Sequence, residues 1–427
     1  MHERISTEEA EILRSLARQV REIAQEERWK EKIVLWKKLN SLKKTRPVIL
    51  CTPQGGWEEI IPPSTLKVKD PLFRSFEYEL RQRIYRSQYI LDDAPVTDDL
   101  FVPYEIIYKD WVDNRTRPFS KERLQAAAYQ PIIEDPSDFD KLHMADFEVD
   151  YEKSNENFAI AHELFDGILN VHNGEPYYSN SLNSISGWGT SMIDIWCEIR
   201  GLENFMYDVI LEPQMTKDAM ELLTEGQLRI LKKGEELGIW QPNNNGYIWS
   251  GNTACGSNGL GFTDELPADD YSKPVKLKDC WNYSMAQECT GISSDMLEEF
   301  VLPYQARIQQ LFPITTYGCC ENNDTKWEAI KRWIPNLREV SVPEYCNYRT
   351  CVEHMEDKYV LCFKPKPAGQ IISYDPEKIR REMKELMEIG KDSHIIIRLN
   401  DLETVCNDPD RVINWTNITM ELAREYE

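Results

Sequence analysis

The chain has 427 residues, with 50 Lys and Arg against 73 Asp and Glu, so its formal net charge is −23 at pH 7. A negative charge of this size repels phosphate backbones and argues against nucleic acid as a partner. Hydrophobic residues make up 41% and charged residues 29% of the chain, which is ordinary globular usage and excludes disorder as the main state.

Two further properties bear on location. No stretch approaches the roughly 18 consecutive apolar residues of a membrane span, and the chain is charged from Glu3 onward, so we expect neither a span nor a secretory signal. The eleven cysteines are an odd number, which favours free thiols in a reducing compartment. We therefore expect a cytoplasmic protein that contacts no membrane.

The elements follow in chain order. Ser6 and Glu9 have capping-box spacing and precede apolar residues on one helix face, which predicts a helical extension over residues 1–45. The apolar run Arg46–Cys51 ends in the loop Thr52–Trp57, which indicates a buried strand. Similar runs recur between helical patterns at Leu100–Tyr108, Gly246–Gly251, Trp281–Ala286, Ile314–Cys319, Val340–Val342, Tyr359–Phe363 and Ile395–Leu399.

This alternation predicts an α/β fold with a parallel sheet, because strands separated by helices form βαβ units. About eight strands over roughly 380 residues favour a (β/α)8 TIM barrel, since no Gly-rich dinucleotide fingerprint opens the first βα turn. We therefore predict an extension over residues 1–45 and a barrel over residues 46–427. Residues 109–180 and 239–279 are predicted to be long loops over the barrel mouth.

Metal-binding side chains follow three predicted strands. They are Glu288, Cys319 and Cys406, and two thiolates with one carboxylate would leave a fourth zinc position open, as catalytic sites do. The alternative is that these cysteines are buried as small hydrophobes. Because successive side chains of an extended strand face opposite sides, only one of Cys319 and Cys320 is expected to face the site, and which of them is the ligand stays open.

Candidate substrate contacts come from position alone, as aromatic or polar residues in loops near strand ends. An aromatic cover over a flat apolar substrate and ordinary loop packing explain the tryptophans equally well. The candidates are Trp57, Trp188, Trp249, Gln287, Tyr345 and Asn400.

Five segments carry a family resemblance. They are Gly201–Asp208, Gln287–Tyr304, Tyr317–Glu321, Lys358–Pro367 and Thr404–Pro409, the last followed by Arg411 and Trp415. Their order and spacing resemble the uroporphyrinogen decarboxylase superfamily over about residues 30–425. The resemblance implies a TIM barrel and two functional branches, decarboxylases and cobamide-dependent methyltransferases.

The first loop favours the methyltransferase branch. Decarboxylases of the superfamily hold tetrapyrrole carboxylates with an Arg-rich first loop, whereas Thr52–Trp57 contains no Arg or Lys. In demethylases of the other branch the zinc ligands run Glu, Cys, Cys, which implies Glu288, Cys319 and Cys406. Tyr317 stands where relatives often have His, so a His-x-Cys pair is unavailable.

The resemblance thus implies a zinc-dependent methyltransferase with Glu288 and Cys319 as catalytic metal ligands. The resemblance also implies that a methyl group moves from a small methylated donor, such as a methoxylated aromatic, to a corrinoid on a separate protein, and no corrinoid-binding motif appears in this sequence. The direction of transfer stays open, since a thiol could instead be the acceptor. Dimers are common in the superfamily, but the sequence leaves the oligomeric state open.

Two alternatives remain open. One is an inactive barrel that serves as a binding subunit of a methyltransferase complex. The presence of Tyr317 where relatives often have His is the feature that supports this alternative. The other is a cofactor-independent decarboxylase of a carboxylated aromatic or tetrapyrrole. Its cationic anchors would come from Arg200, Arg349, Lys364, Lys366 and Arg398.

Overall fold

The computed structural model describes residues 4–113, 115, 130–177, 190–248 and 251–427. In those ranges no helix is long and apolar enough to cross a membrane. The described helices α1 to α14 are Thr7–Ala24, Glu27–Asn40, Trp57–Ile60, Pro71–Tyr89, Tyr151–Phe165, Met192–Arg200, Leu202–Leu211, Pro213–Leu237, Ser294–Phe300, Leu302–Gln309, Trp327–Trp333, Tyr348–Met355, Pro376–Ile389 and Asp410–Arg424. The described strands β1 to β12 are Val48–Cys51, Asp99–Val102, Glu105–Lys109, Asp146–Asp150, Asn170–Asn173, Glu175–Pro176, Trp240–Gln241, Trp281–Ser284, Ile314–Tyr317, Leu337–Pro343, Val360–Lys364 and His394–Leu399.

A six-stranded parallel sheet organises the fold, in the order β1-β12-β11-β10-β9-β8. All residues of β1, β8, β9 and β11 are buried, as in a parallel sheet that is covered on both faces. Single helices, α11 to α13, connect β9 to β10, β10 to β11 and β11 to β12, and α14 packs on β1. Because the strands are parallel, their carboxyl ends lie along one edge of the sheet.

The predicted α/β class and parallel sheet are confirmed, but a closed ring of eight strands is not seen among the described residues. The run Leu100–Tyr108 divides at Pro103, which has no N–H to donate. Its first part, β2, pairs with β5, and its second part, β3, pairs with β4. The predicted strand at Gly246–Gly251 is absent where the chain is described, because the Asn245 side chain accepts from the Tyr247 N–H and forms a turn.

Two buried carboxylates accept hydrogen bonds from the backbone N–H groups at the outer edge of β1. Asp93 accepts from the N–H of Ile49 and Asp92 from that of Cys51, both at 2.8 Å. Both carboxylates are completely buried, and Asp93 also accepts two 2.8 Å hydrogen bonds from Arg46. Because each carboxylate takes the place of a backbone acceptor, β1 keeps its edge N–H groups satisfied without a neighbouring strand.

An amide side chain does the same at the β8 edge. The side chain of Asn243 accepts from the Trp281 N–H at 2.9 Å and donates to the Trp281 carbonyl at 3.0 Å. Farther along, the N–H of Thr190 donates to the Tyr283 carbonyl at 3.1 Å. Side chains and loops therefore close both ends of the six-stranded sheet.

Residues 251–263, which we call the inner loop, are almost all buried. This part of the predicted loop 239–279 therefore packs inside the protein, and its place over a barrel mouth stays a prediction. Arg398 on β12 donates to the carbonyls of Gly251 and Asn258, and Glu339 on β10 accepts from the N–H of Gly259 at 2.6 Å. Charged side chains of the sheet thus replace water as partners of the loop backbone, which allows a polar segment to be buried.

The amino-terminal residues form α1 and α2, as predicted. Ser6 and Glu9 make the predicted capping box, and the buried face of α1 shares a hydrophobic cluster with α4, α5 and β2. The division of the chain at residue 45 into two units stays a prediction.

We predict that Asp93→Ala lowers the free energy of unfolding by about 3 kcal/mol or more. The substitution leaves Arg46 and the Ile49 N–H without their buried acceptor. Asp264→Ala is the matched control, because Asp264 is 75% exposed in its ion pair with Lys37, and it should cost less than about 1 kcal/mol. Urea unfolding followed by circular dichroism measures both values, and equal losses would contradict the edge-cap role of Asp93.

Candidate functional site

The carboxyl ends of β9 to β12 border one cleft of about 550 Å³. Cys320 follows β9, Tyr345 follows β10, Lys364 ends β11, and Asn400 and Asp401 follow β12. The structure thus brings two predicted substrate contacts, Tyr345 and Asn400, to the same cleft. Asn400 is 1% exposed and its Nδ2 has no hydrogen-bond partner among the described residues.

Of the two adjacent cysteines, Cys320 lines this cleft and Cys319 carries its sulfur next to that of Cys320. Strand β9 ends at Tyr317, and Gly318 has a positive φ of 96°, so the extended alternation stops before Cys319. The Sγ atoms of Cys319 and Cys320 are 3.6 Å apart, and Cys320 Sγ is also 3.6 Å from Asp401 Oδ2. Cys320 lines the cleft, whereas Cys319 packs against the hydrophobic core, and the expectation that only one of the two thiols faces the site stays a prediction.

Hydrogen bonds link Cys319 to a buried cation. Ser257 Oγ, on the inner loop, lies 3.4 Å from Cys319 Sγ. Lys364 Nζ donates to Ser257 Oγ at 2.6 Å and to the Cys319 carbonyl at 3.1 Å. Both Ser257 and Lys364 are buried, so the ammonium charge acts on the sulfur with little screening by water.

The two thiols are electrostatically unequal. A hydrogen bond from Cys320 and the charge of Lys364 lower the pKa of Cys319 to about 7, against the opposing effect of burial. The same hydrogen bond, together with burial, raises the pKa of Cys320. The surroundings therefore favour the thiolate at Cys319 over a thiolate at Cys320.

Glu321 ties this site to the end of β8. Its carboxylate accepts from the Cys319 N–H at 2.7 Å and from the Ala286 N–H at 3.2 Å. It is 1% exposed. Glu321 therefore fixes the backbone of Cys319. It also holds Ala286, and the turn Gln287–Gly291 begins at the next residue.

Glu288 lies in that turn and has acidic neighbours. Its N–H donates to Asp194 Oδ1 at 2.9 Å, and the N–H of Gln287 lies 3.4 Å from Asp194 Oδ2. Burial, followed by the charge of Glu198, raises the pKa of Glu288. Its electrostatic neighbour is thus a carboxylate, whereas the neighbours of Cys319 are Cys320, Lys364, Asp401 and Glu321.

Cys406 belongs to a separate turn. Its φ is 59°, and its N–H donates to Thr404 Oγ1 at 2.8 Å. The carboxylate of Glu59 holds the turn by accepting from Thr404 Oγ1 at 2.6 Å and from the Asn407 N–H at 2.7 Å. None of these contacts joins Cys406 to Cys319.

These placements bear on the predicted zinc ion. In the ranges that the structure describes, no three His, Cys, Asp or Glu side chains are grouped so as to hold a metal ion. Glu288, Cys319 and Cys406, as they are placed, therefore do not fit zinc. The metal assignment stays a prediction of the family resemblance.

The remaining aromatic candidates lie elsewhere. Trp57 is buried edge-on against Tyr85, with ring centroids 5.9 Å apart, and it lines a different, smaller cavity. Trp188 and Trp249 lie outside the described residues.

Most cations that a decarboxylase would need have other partners. Arg200 is bound to Asp208 at 2.6 Å, and Arg398 is bound to the inner loop. Lys364 donates hydrogen bonds to Ser257 and to the carbonyl of Cys319. Lys366, which lines the cleft, lies 3.6 Å from Glu344. Arg349 is exposed and does not line the cleft. The cleft therefore offers little free positive charge to an anionic substrate.

Sequence reasoning missed Ser257 and treated Lys364 only as a substrate anchor. Ser257 lies in a Gly-rich stretch that resembles a surface loop, so no local pattern marks it. The position of Lys364 at the end of the buried strand β11 could have indicated its role, because a buried ammonium group needs a hydrogen-bond partner.

Comparison with known proteins adds little. No family model and no curated protein matches the chain. A methyltransferase from Methanosarcina mazei aligns in structure over 91% of this chain and 98% of its own, with 11% sequence identity and a TM-score of 0.48. A likeness this distant carries no argument about function.

We predict that Asp194 makes stability depend on pH through the turn that carries Glu288. Burial raises the pKa of Asp194 to about 8, and the carboxylates of Glu321 and Glu288 add to the shift. The folded chain therefore keeps a proton that the unfolded chain releases, so this contribution is complete at low pH and is lost as the pH rises toward 8. Asp194→Asn, which resembles the protonated acid, should remove that dependence.

The measurement is the free energy of unfolding of both proteins at intervals from pH 5 to pH 9. The wild type should lose stability relative to Asp194→Asn up to about pH 8, after which the difference should be constant. Parallel curves for the two proteins would contradict the raised pKa.

Proposed function

We propose that this chain is a methyltransferase whose chemistry takes place at Cys319. It would move a methyl group from a small methylated donor to a corrinoid on a separate protein. The observation that carries the proposal is the sulfur of Cys319, which lies next to Cys320 of the strand-end cleft and is linked through Ser257 to the buried ammonium of Lys364. The resemblance of the sequence to the cobamide-dependent methyltransferases supports the same assignment.

A thiolate is the group that methyl transfer needs from a cysteine. Sulfur can take part by attacking a methyl carbon or by binding a metal ion, and both roles require the deprotonated form. The hydrogen bond from Cys320 and the charge of Lys364 favour this form at Cys319, because both lower the pKa of its thiol. The proposal therefore rests on the state of the sulfur, and zinc stays a separate prediction.

The cleft suits a small donor that carries no large negative charge. Its walls include Pro343, Pro365 and Pro367 together with Tyr345, which offer flat apolar surface. Asn400 lines the cleft, and its amide Nδ2 is buried without a hydrogen-bond partner among the described residues. We propose that it donates a hydrogen bond to the heteroatom of the donor, where negative charge develops as the methyl group leaves.

We expect the wild-type protein to methylate reduced cobalamin in the presence of small methyl donors. Cys319→Ser should lower the rate by about 100-fold or more, because a serine hydroxyl is not ionised at neutral pH. Cys351→Ala is the matched control, because Cys351 is a buried thiol on α12, outside the cleft. Its rate should remain close to that of the wild type.

The assay follows the absorbance change from reduced to methylated cobalamin under anaerobic conditions. The donors are a methoxylated phenol, a methyl thioether and a methylamine, each tested alone. A wild-type protein that methylates cobalamin from none of them would overturn the proposal and favour an inactive binding subunit.

Metal content tests the zinc prediction independently. If the resemblance holds, protein purified anaerobically without chelator should carry about one zinc ion per chain, lost in Cys319→Ser. Because Glu288 faces Glu198 and Cys406 lies in its own turn, we expect Glu288→Ala and Cys406→Ser to retain that metal. Metal loss in either variant would show that the predicted ligand set assembles after all.

A further inference from the structure

We infer that Cys319 and Cys320 are a reversible dithiol–disulfide couple, oxidised by small-molecule disulfides to a bond between adjacent residues. This modification site goes beyond the proposed methyl transfer and does not rest on it. The juxtaposition that carries the inference is a partly exposed thiol pair with its sulfurs 3.6 Å apart, beside a buried cation.

Access sets this pair, together with Cys406, apart from the eight buried thiols. Cys319 and Cys320 are partly exposed, and Cys320 lines the cleft. A second neighbouring pair, Cys197 and Cys289, is hydrogen-bonded but completely buried. A disulfide reagent therefore reaches the first pair and not the second, which provides a control within the same chain.

The surroundings give the two sulfurs different roles. Ser257, held by Lys364, lies next to Cys319 Sγ, so positive charge favours an anion there. The carboxylate of Asp401 lies 3.6 Å from Cys320 Sγ and disfavours an anion at that atom. Cys319 is therefore the attacking sulfur and Cys320 the resolving one.

The exchange proceeds in two balanced steps. The Cys319 thiolate attacks one sulfur of the reagent, the S–S bond of the reagent breaks, and one thiolate leaves as a mixed disulfide forms. Cys320 then gives up its proton and attacks Cys319 Sγ, which expels the second thiolate. Two cysteine thiols and one disulfide thus become one protein disulfide and two small thiols, with two electrons passing to the reagent.

The product is expected to be easily reduced. Adjacent Cα atoms lie about 3.8 Å apart, closer than the lower limit of about 4.4 Å for ordinary disulfides. A bond formed under that constraint is strained and labile, as in regulatory disulfides. Its formation would also remove the thiolate from the cleft, so the oxidation state of the pair would control any chemistry at Cys319.

The test treats the reduced full-length protein with glutathione disulfide, followed by acid quenching, intact mass and peptide mapping. The wild type should lose two hydrogens, with the new bond at residues 319–320, and dithiothreitol should restore it. Cys320→Ser should stop after the first step, with one glutathionyl group on Cys319. Cys197→Ser, in the buried pair, should behave like the wild type.

A further variant tests the role of the inner loop. Ser257→Ala removes the hydroxyl between Lys364 and Cys319 and should slow the first step about 10-fold, with the same final product. A stable mixed disulfide on wild-type Cys319, or oxidation at other cysteines first, would overturn the inference. Since the readout is mass, a protein that transfers methyl groups without forming this bond would refute this inference alone.

Discussion

Two buried positive charges on neighbouring strands set the arrangement of the site. Arg398 on β12 and Lys364 at the end of β11 are fully inside the protein, and an unpaired buried charge is strongly destabilising. The inner loop supplies oxygen atoms to both, through the carbonyls of Gly251 and Asn258 and the hydroxyl of Ser257. The inner loop is therefore held against these strands. As a consequence, Ser257 Oγ lies 3.4 Å from Cys319 Sγ.

The same sheet edge brings carboxylates and thiols together at neighbouring strand ends. Glu321 accepts hydrogen bonds from the backbone N–H groups that follow β8 and β9, so its carboxylate bridges the two strand ends. On its β8 side lie Asp194 and Glu288, and on its β9 side lie the two cysteines. Burial, followed by the charge of Glu198, raises the pKa of Glu288, whereas the thiol of Cys319 is influenced by Cys320 and Lys364.

Local patterns predicted what depends on neighbours in the chain. Apolar runs located most of the strands, and the rule that chemistry follows strand ends placed Cys319, Tyr345 and Asn400 near one cleft. The inner loop could not be predicted, because its polar, Gly-rich composition is typical of surface loops. Its burial depends on partners such as Arg398, 140 positions from Asn258, and on carboxylates that take the place of strands at the sheet edge.

One glycine decides the geometry of the thiol pair. A Cβ at Gly318 would lie 3.1 Å from the Cβ of Ser341, and the φ of 96° is strained for any other residue. The turn at Gly318 ends the alternation of β9, and the two following sulfurs lie 3.6 Å apart instead of on opposite faces of the sheet. The contact between the two sulfurs therefore depends on Gly318, the residue immediately before Cys319. The link from Cys319 to Lys364 depends on the same glycine.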